Sequence, residues 1–230
     1  MENCRSLGPS PTRRRLLFGG LVCIGAGAAG LPAILRDVQA QPAPDLRYRV
    51  FRERSEIGAH DIFFRGAPGS RTVETKVRLE VKVAFITAFR YLHESTEAWH
   101  DGKLQSLVSR TDDNGEKREV VGASVGDGVR TVGPRGPFVC RSDLMTSNSF
   151  WSAEFVRQTA LINAAEGGEV GISAKRLGEE EIPTRRGPVR TEKHRFLTPK
   201  CAGQVWYETE GLLVRGIFEV KGETLIYEAA

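Results

Sequence analysis

The 230-residue chain has few residues that build metal or redox centres: four cysteines, four histidines and two methionines. No two cysteines have the spacing of zinc ligands. His93 and Glu97 share one face of a strand-like segment, but at strand spacing they would lie roughly 13 Å apart, too far for one metal ion. A G-x-G-x-x-G dinucleotide pattern occurs only at residues 25–30, outside any strand–helix frame. We therefore expect no metal and no cofactor.

The chain also lacks a strong excess of charge of one sign. Its net charge is +4, and the first 40 residues hold five arginines against two acidic residues. The remaining 190 residues carry 28 basic and 27 acidic side chains, which is close to neutral. This balance argues against a nucleic-acid partner. With 40% apolar residues, the composition is typical of a chain that forms a core, and it excludes a disordered or multispanning protein.

Long apolar runs are absent except for residues 16–35. Arg13 and Arg14 precede this run, and Val38-Gln39-Ala40 closes it, which completes the three parts of an export signal. The leader resembles a twin-arginine signal, although it lacks the usual Phe and Lys. The alternative is an uncleaved anchor, but five glycines and Pro32 make the run a poor permanent helix and stable membrane insertion improbable. We expect recognition by the export machinery, cleavage after Ala40 and a periplasmic protein.

Beyond the leader, the chain alternates between apolar and polar residues with a period of two. From Val73 to Phe85 apolar side chains alternate with charged ones, which indicates an antiparallel strand with one buried face. Asp101-Gly102, Asn114-Gly115 and Lys221-Gly222 are typical of tight hairpin turns. Further strands are expected at 46–53, 57–65, 88–99, 103–111, 117–124, 128–132, 169–176, 189–198, 203–209, 212–221 and 223–228.

One segment departs from this pattern. Between residues 149 and 165 the apolar residues recur at helical spacing, which predicts an α-helix, and residues 133–138 before it predict an irregular loop. The sequence thus predicts a mainly β fold: residues 41–230 form a single domain, in which a long antiparallel meander curls into a half-barrel around one helix.

Several short motifs resemble an uncharacterised bacterial exported family, domain of unknown function 6134. They are Trp99…Asp101-Gly102-x-Leu104, Phe150-Trp151 with Leu161-x-Asn163, and Val205-Trp206-Tyr207 with Ile226-Tyr227. The resemblance implies no activity. The strand pattern is similar in turn to Lol-type lipoprotein carriers, in which a β half-barrel closes over a helix and cups lipid chains; this is an analogy of fold.

A half-barrel with one helix can leave apolar volume unfilled. The sequence therefore favours a non-enzymatic binder or carrier of an apolar or amphipathic, lipid-like small molecule. The alternative is an envelope interaction or scaffold protein whose core is filled. The candidate ligand-binding residues are the large aromatics expected on the concave side, although some would be ordinary core: Tyr91, Trp99, Trp151, Phe155, Trp206 and Tyr207.

Two further features leave alternatives open. Gly122-Ala-Ser124-Val-Gly126 matches the nucleophile elbow of hydrolases, with Asp143 and His194 in the required order, so a weak serine hydrolase is a third hypothesis. A turn flanked by two hairpin strands explains the motif better, because Asp127-Gly128 and another short strand follow it instead of a helix. Cys140 and Cys201 remain after cleavage and could form a disulfide in an oxidising compartment, or stay as two free thiols.

Overall fold

The structure is a computed structural model that describes residues 45–67, 69–83 and 86–230. The predictions for the leader, including Arg13, Arg14 and cleavage after Ala40, lie outside these residues. Fifteen strands account for most of the described chain: β1 Leu46–Arg52, β2 Ser55–Ala67, β3 Ser70–Val83, β4 Ile86–His100, β5 Lys103–Asp113, β6 Glu116–Val125, β7 Gly128–Gly133, β8 Gly136–Arg141, β9 Ala160–Ile162, β10 Glu169–Gly171, β11 Ser173–Thr184, β12 Gly187–Leu197, β13 Cys201–Glu208, β14 Leu213–Val220 and β15 Glu223–Ala229.

Thirteen of these strands form one antiparallel sheet in the order β11-β12-β13-β14-β15-β1-β2-β3-β4-β5-β6-β7-β8. Consecutive strands pair as hairpins, and the first and last strands join the two halves through pairs such as Val50 with Tyr227. The predicted meander is therefore confirmed. The sheet is not closed, because β8 and β11 remain as its two edges.

The predicted turns set this pairing. Asp101 and Gly102 both have positive φ, of 47° and 73°, and the pairs Asn114-Gly115 and Lys221-Gly222 behave in the same way. Two successive positive φ values are the signature of a type I′ turn, whose twist matches that of the strands it joins.

The segment 142–172 connects the two edge strands and runs inside the curl. Its side chains Phe150, Trp151, Phe155 and Leu161 belong to the main core cluster, together with the inner faces of β1–β3 and β12–β15. A second cluster packs Leu104, Leu107, Val120, Val129, Cys140, Leu144 and Ile162 at the β5–β8 end. The sheet therefore wraps around this crossing segment.

The predicted helix over 149–165 is wrong. The described residues contain no α-helix; a five-residue 3-10 helix, Ala153–Arg157, is capped by Ser152 and ends at the extended residue Gln158. The pair β9–β10 follows it. Because the sheet surrounds the segment, side chains are buried on several of its sides, including the adjacent Leu161 and Ile162. The helical spacing of apolar residues therefore does not indicate a helix in this segment.

The predicted irregular loop at 133–138 is also wrong in part. β7 continues to Gly133, and β8 starts at Gly136 and includes Pro137. Proline, which lacks a backbone donor, is tolerated here because β8 is an edge strand.

Candidate functional site

A cavity of about 700 Å³ lies between the crossing segment and the inner faces of β12–β15. Its volume is within the range of small-molecule sites. Most of its lining is apolar, and six of the ten large apolar side chains are aromatic: Tyr91, Phe150, Phe155, Leu161, Val170, Phe196, Phe218, Val220, Leu225 and Tyr227.

Aromatic packing fixes the floor of this main cavity. The ring of Phe150 lies 4.8 Å from that of Phe218 and 5.3 Å from that of Tyr227, measured between centroids. Phe196 contacts both Phe155, at 5.3 Å, and Phe218, at 5.7 Å. Alternation along β12, β14 and β15 places these rings on the inner face, so the strands position one wall and the crossing segment the other.

Charged groups lie only at the rim of the main cavity. Lys200 forms an ion pair with Glu166. Arg135 lies over the Phe138 ring, 5.2 Å from its centroid, and the Glu169 carboxylate accepts a hydrogen bond from the backbone of Arg141. The cavity is therefore apolar inside, and two basic and two acidic side chains balance in charge at its entrance.

A second, smaller cavity of about 330 Å³ lies at the Trp99 end of β4. Trp99 and Trp151 line it together with Val73 and Met145. Arg71, directly opposite Trp99 in the β3–β4 register, also lines it.

Buried polar residues lie on the inner face of β4. The Glu97 carboxylate accepts hydrogen bonds from Thr146 Oγ1, at 2.7 Å, and Trp99 Nε1, at 3.0 Å. Asn148 donates to Nε2 of His93, which places the imidazole proton on Nδ1, where it is donated to Thr111 Oγ1 at 2.8 Å. These bonds tie the crossing segment to the sheet.

Burial shifts the pKa values of these groups toward their neutral forms. It raises the pKa of Glu97 to about 7, and the two hydrogen bonds to the carboxylate oppose the rise. It lowers the pKa of His93 to about 4 and that of His60 to about 3. His60 lies among Tyr48, Phe150 and Tyr227, and neither of its ring nitrogens has a hydrogen-bond partner among the described residues.

The structure divides the six predicted aromatics among four places. Tyr91 and Phe155 line the main cavity, whereas Trp99 and Trp151 line the smaller one. Tyr207 is buried in the core, where its hydroxyl donates to the carbonyl of Phe150, and it lines neither cavity.

Trp206 lies on the other face of the sheet from Tyr207, so its expected concave position is wrong. It packs against Ile182 and Val214 in a small outer cluster, and its Nε1 donates to Glu180. Lys193 and Arg215 lie over its ring. Adjacent residues of a strand point to opposite faces, so only one of Trp206 and Tyr207 could lie inside.

Sequence reasoning missed most of the cavity wall. Phe150, Phe196, Phe218 and Tyr227 were not among the predicted ligand residues. The alternation pattern could have identified Phe196 and Phe218, because each holds an inward position on its strand. Phe150 lies in the crossing segment, where no periodicity applies.

The residues of the hydrolase hypothesis each have other surroundings. Ser124 is exposed on β6, opposite Val129 of β7. Asp143 pairs with Arg141, and His194 lies beside Glu192 and the Tyr207 ring. No hydrogen bond joins Ser124, Asp143 and His194 to one another.

Both described cysteines are free thiols in the structure. Cys140 is buried in the β5–β8 cluster, whereas Cys201 lines the main cavity. Burial raises the pKa of Cys201 to about 11. In the described part of the chain, no three His, Cys, Asp or Glu side chains form a group that could hold a metal ion.

No described helix is both long enough and apolar enough to cross a membrane. This finding concerns residues 45–67, 69–83 and 86–230 only.

The chain belongs to the family described as "Domain of unknown function (DUF6134)", whose model matches residues 48–230. It is similar in structure to a β-barrel-like protein of the domain of unknown function DUF1849 from Brucella abortus, with a TM-score of 0.61 and 11% sequence identity over 81% of this chain and 94% of that one. At that identity the likeness shows the fold alone. No curated protein matches the chain.

Proposed function

We propose that this member of the DUF6134 family is an exported, non-enzymatic binder of an apolar or amphipathic, lipid-like molecule. The observation that carries the proposal is the main cavity, about 700 Å³ of largely apolar interior inside a barrel-like sheet. A chain serving only as a scaffold would be expected to fill such a volume with side chains, because protein interiors normally pack to the density of organic crystals.

The chemistry of the lining predicts the character of binding. Apolar surface removed from water contributes about 25 cal/mol per Å² and has no directional preference. The polar side chains of Asn148, Asn163 and Thr198 lie along part of the wall. We therefore expect a ligand class defined by shape and apolarity, with loose selectivity for chain length.

The direct test is native mass spectrometry of the protein purified from an envelope fraction, followed by solvent extraction. A discrete added mass that extracts as apolar material supports the proposal and identifies the ligand class. A clean apo mass under gentle desolvation contradicts it.

A matched pair of variants locates the site. Val220→Trp places a large ring at a half-buried position of the cavity wall, whereas Val139→Trp makes the same change at an exposed position of β8. With N-phenyl-1-naphthylamine as an apolar fluorescent probe, we expect Val220→Trp to weaken binding at least tenfold and Val139→Trp to leave it unchanged. Equal binding by both variants, with native circular dichroism spectra, would place the probe elsewhere.

One observation favours the interaction-protein alternative. Exposed valines follow the outer face from β5 to the edge strand β8: Val108, Val121, Val125, Val132 and Val139. An unpaired edge beside an apolar face can pair with another strand. Sedimentation of the purified protein across a concentration series tests this alternative, which predicts self-association that Val139→Lys abolishes.

A further inference from the structure

The four tyrosines of the chain fall into two pairs with different surroundings. Tyr48 donates its hydroxyl to the carbonyl of Leu213, and Tyr207 donates to the carbonyl of Phe150. Tyr91 and Tyr227 line the main cavity, and neither hydroxyl forms a hydrogen bond with any described residue. The hydroxyls of Tyr48 and Tyr207 therefore stabilise the fold through hydrogen bonds, whereas those of Tyr91 and Tyr227 do not.

The two cavity tyrosines are accessible from the cavity. The polar side-chain atoms that are both sealed from solvent and unpartnered belong to His60, Ser95, Trp151 and Arg215, so neither tyrosine hydroxyl is among them. Tyr227 is nevertheless only 7% exposed, so the space that reaches its hydroxyl is the cavity itself. A buried hydroxyl normally finds a partner, so this pair is available to a bound molecule.

The register of the sheet places both tyrosines in one row of paired residues that crosses five neighbouring strands. Tyr227 pairs with Val50, Val50 with Gly58, Gly58 with Leu79, and Leu79 with Tyr91. The two tyrosines therefore lie on β15 and β4, four strands apart in the sheet, and both line the main cavity.

The surroundings keep both phenols neutral and therefore able to donate. Burial, with a contribution from Asp113, raises the pKa of Tyr91 to about 12, and the nearby Arg118 opposes the rise. Burial also raises the pKa of Tyr227, with smaller contributions from Tyr91 and Cys201. The positive charges that line the cavity, Lys200 and Arg135, lie at its rim.

We propose that Tyr91 and Tyr227 together hydrogen-bond the uncharged carbonyl oxygen of an otherwise apolar ligand, so that the cavity selects acyl esters and similar neutral carbonyl compounds. This inference rests on the proposed function, since it concerns the same cavity. A carbonyl oxygen has two lone pairs and can accept both donors at once.

Two neighbouring ligand classes fit less well. A carboxylate would have to leave water for a cavity whose lining cations, Lys200 and Arg135, lie at the rim, which is costly for any unpaired charge. A plain hydrocarbon would displace water from the two hydroxyls and leave both donors unsatisfied, which is unfavourable for any buried polar group.

The test compares three probes with the same chain: methyl palmitate, palmitate at pH 8 and hexadecane. Each displaces N-phenyl-1-naphthylamine from the wild-type protein and from Tyr91→Phe, Tyr227→Phe and the double variant. Tyr207→Phe is the matched control, because it removes a hydroxyl that lies outside the cavity.

We expect the wild-type protein to bind the ester at least tenfold more tightly than either other probe. Each cavity variant should weaken ester binding about 3- to 10-fold and leave hexadecane unchanged or improved, whereas Tyr207→Phe should keep the wild-type order of probes. If the ester and hexadecane bind equally, or palmitate binds best, the carbonyl inference is wrong and the apolar-binder proposal stands. If no probe binds, the proposed function itself fails.

Discussion

Glu97 is 1% exposed and lies on the inner face of β4, yet its carboxyl group forms no ion pair with any described residue. Its two hydrogen-bond donors, Thr146 and Trp99, are neutral. Burial raises its pKa to about 7. The folded chain therefore favours the protonated form of this carboxyl group more strongly than the unfolded chain does. This side chain therefore couples the attachment of the crossing segment to pH.

We predict that Glu97→Gln removes a pH-dependent part of the free energy of unfolding. In the wild-type chain, the contribution of Glu97 is full below its unfolded pKa of about 4.5, declines as the pH rises, and is lost above its folded pKa of about 7. The loss is on the order of 3 kcal/mol for such a shift. Urea denaturation of both proteins at pH 4.5, 6 and 8 measures it.

The two buried histidines change the free energy of unfolding in the opposite direction as the pH changes. Their lowered pKa values give stability that is present above pH 6.5 and is lost as the pH falls toward 4 for His93 and 3 for His60. Both remain in the Glu97→Gln protein, so the difference between the two proteins isolates Glu97. A difference that stays constant from pH 4.5 to 8 would show that the carboxyl group titrates normally.

At the scale of single strands, β2 depends on one glycine. Gly58 has φ of 152°, a value that L side chains rarely adopt, and it lies next to the register shift between β1 and β2. A Cβ at this position would lie 1.9 Å from the carbonyl oxygen of Arg78 on β3. The neighbouring strand cannot yield without breaking its own hydrogen bonds.

We predict that Gly58→Ala lowers the free energy of unfolding by about 3 kcal/mol or more, because the collision is with the backbone. Gly171→Ala is the control: it lies in β10, where a Cβ would meet nothing within 4 Å, and we expect a change within about 1 kcal/mol. Guanidinium denaturation of the three proteins compares them. Similar stability for the two variants would contradict this account.

The crossing segment shows how one element can be misread. Its backbone forms hydrogen bonds with side chains of the sheet. The Ser109 hydroxyl donates to the carbonyl of Ala164, and the backbone N–H of Gly168 donates to Thr131 Oγ1. Asn163 accepts from the backbone of Ala165 and Glu166 and turns the chain there. Ser109 and Thr131 come from strands more than 30 residues away in sequence, so no local pattern could reveal them.

At the scale of the whole molecule, the family match starts at residue 48 and so lies within the domain predicted to follow the leader. We predict that the protein recovered from envelope extracts begins at Gln41, because a small-x-small site precedes it and the leader has the three parts of an export signal. N-terminal sequencing measures this, and substitution of Arg13 and Arg14 by lysine tests the twin-arginine route. An N-terminus at residue 1 in those extracts would contradict the export prediction.

The sequence by itself determined the antiparallel meander. Period-two alternation and turn residues with positive φ are local signals, so strands such as β5, predicted at 103–111 and observed at Lys103–Asp113, could be located within a few residues. Tyr91 lines the main cavity from the inner face of β4, a position that follows from alternation along this strand, whereas Phe155 lies in the crossing segment, where alternation does not apply.

Only the tertiary structure decided what fills the barrel and where space remains. The conformation of 142–172 depends on side chains that the curled sheet brings from both of its edges. The cavity beside this segment is bounded by Phe150 from within and by Phe218 and Tyr227 from the far half of the chain. Empty volume is a property of how these distant surfaces meet, and the order of residues along a chain does not encode it locally.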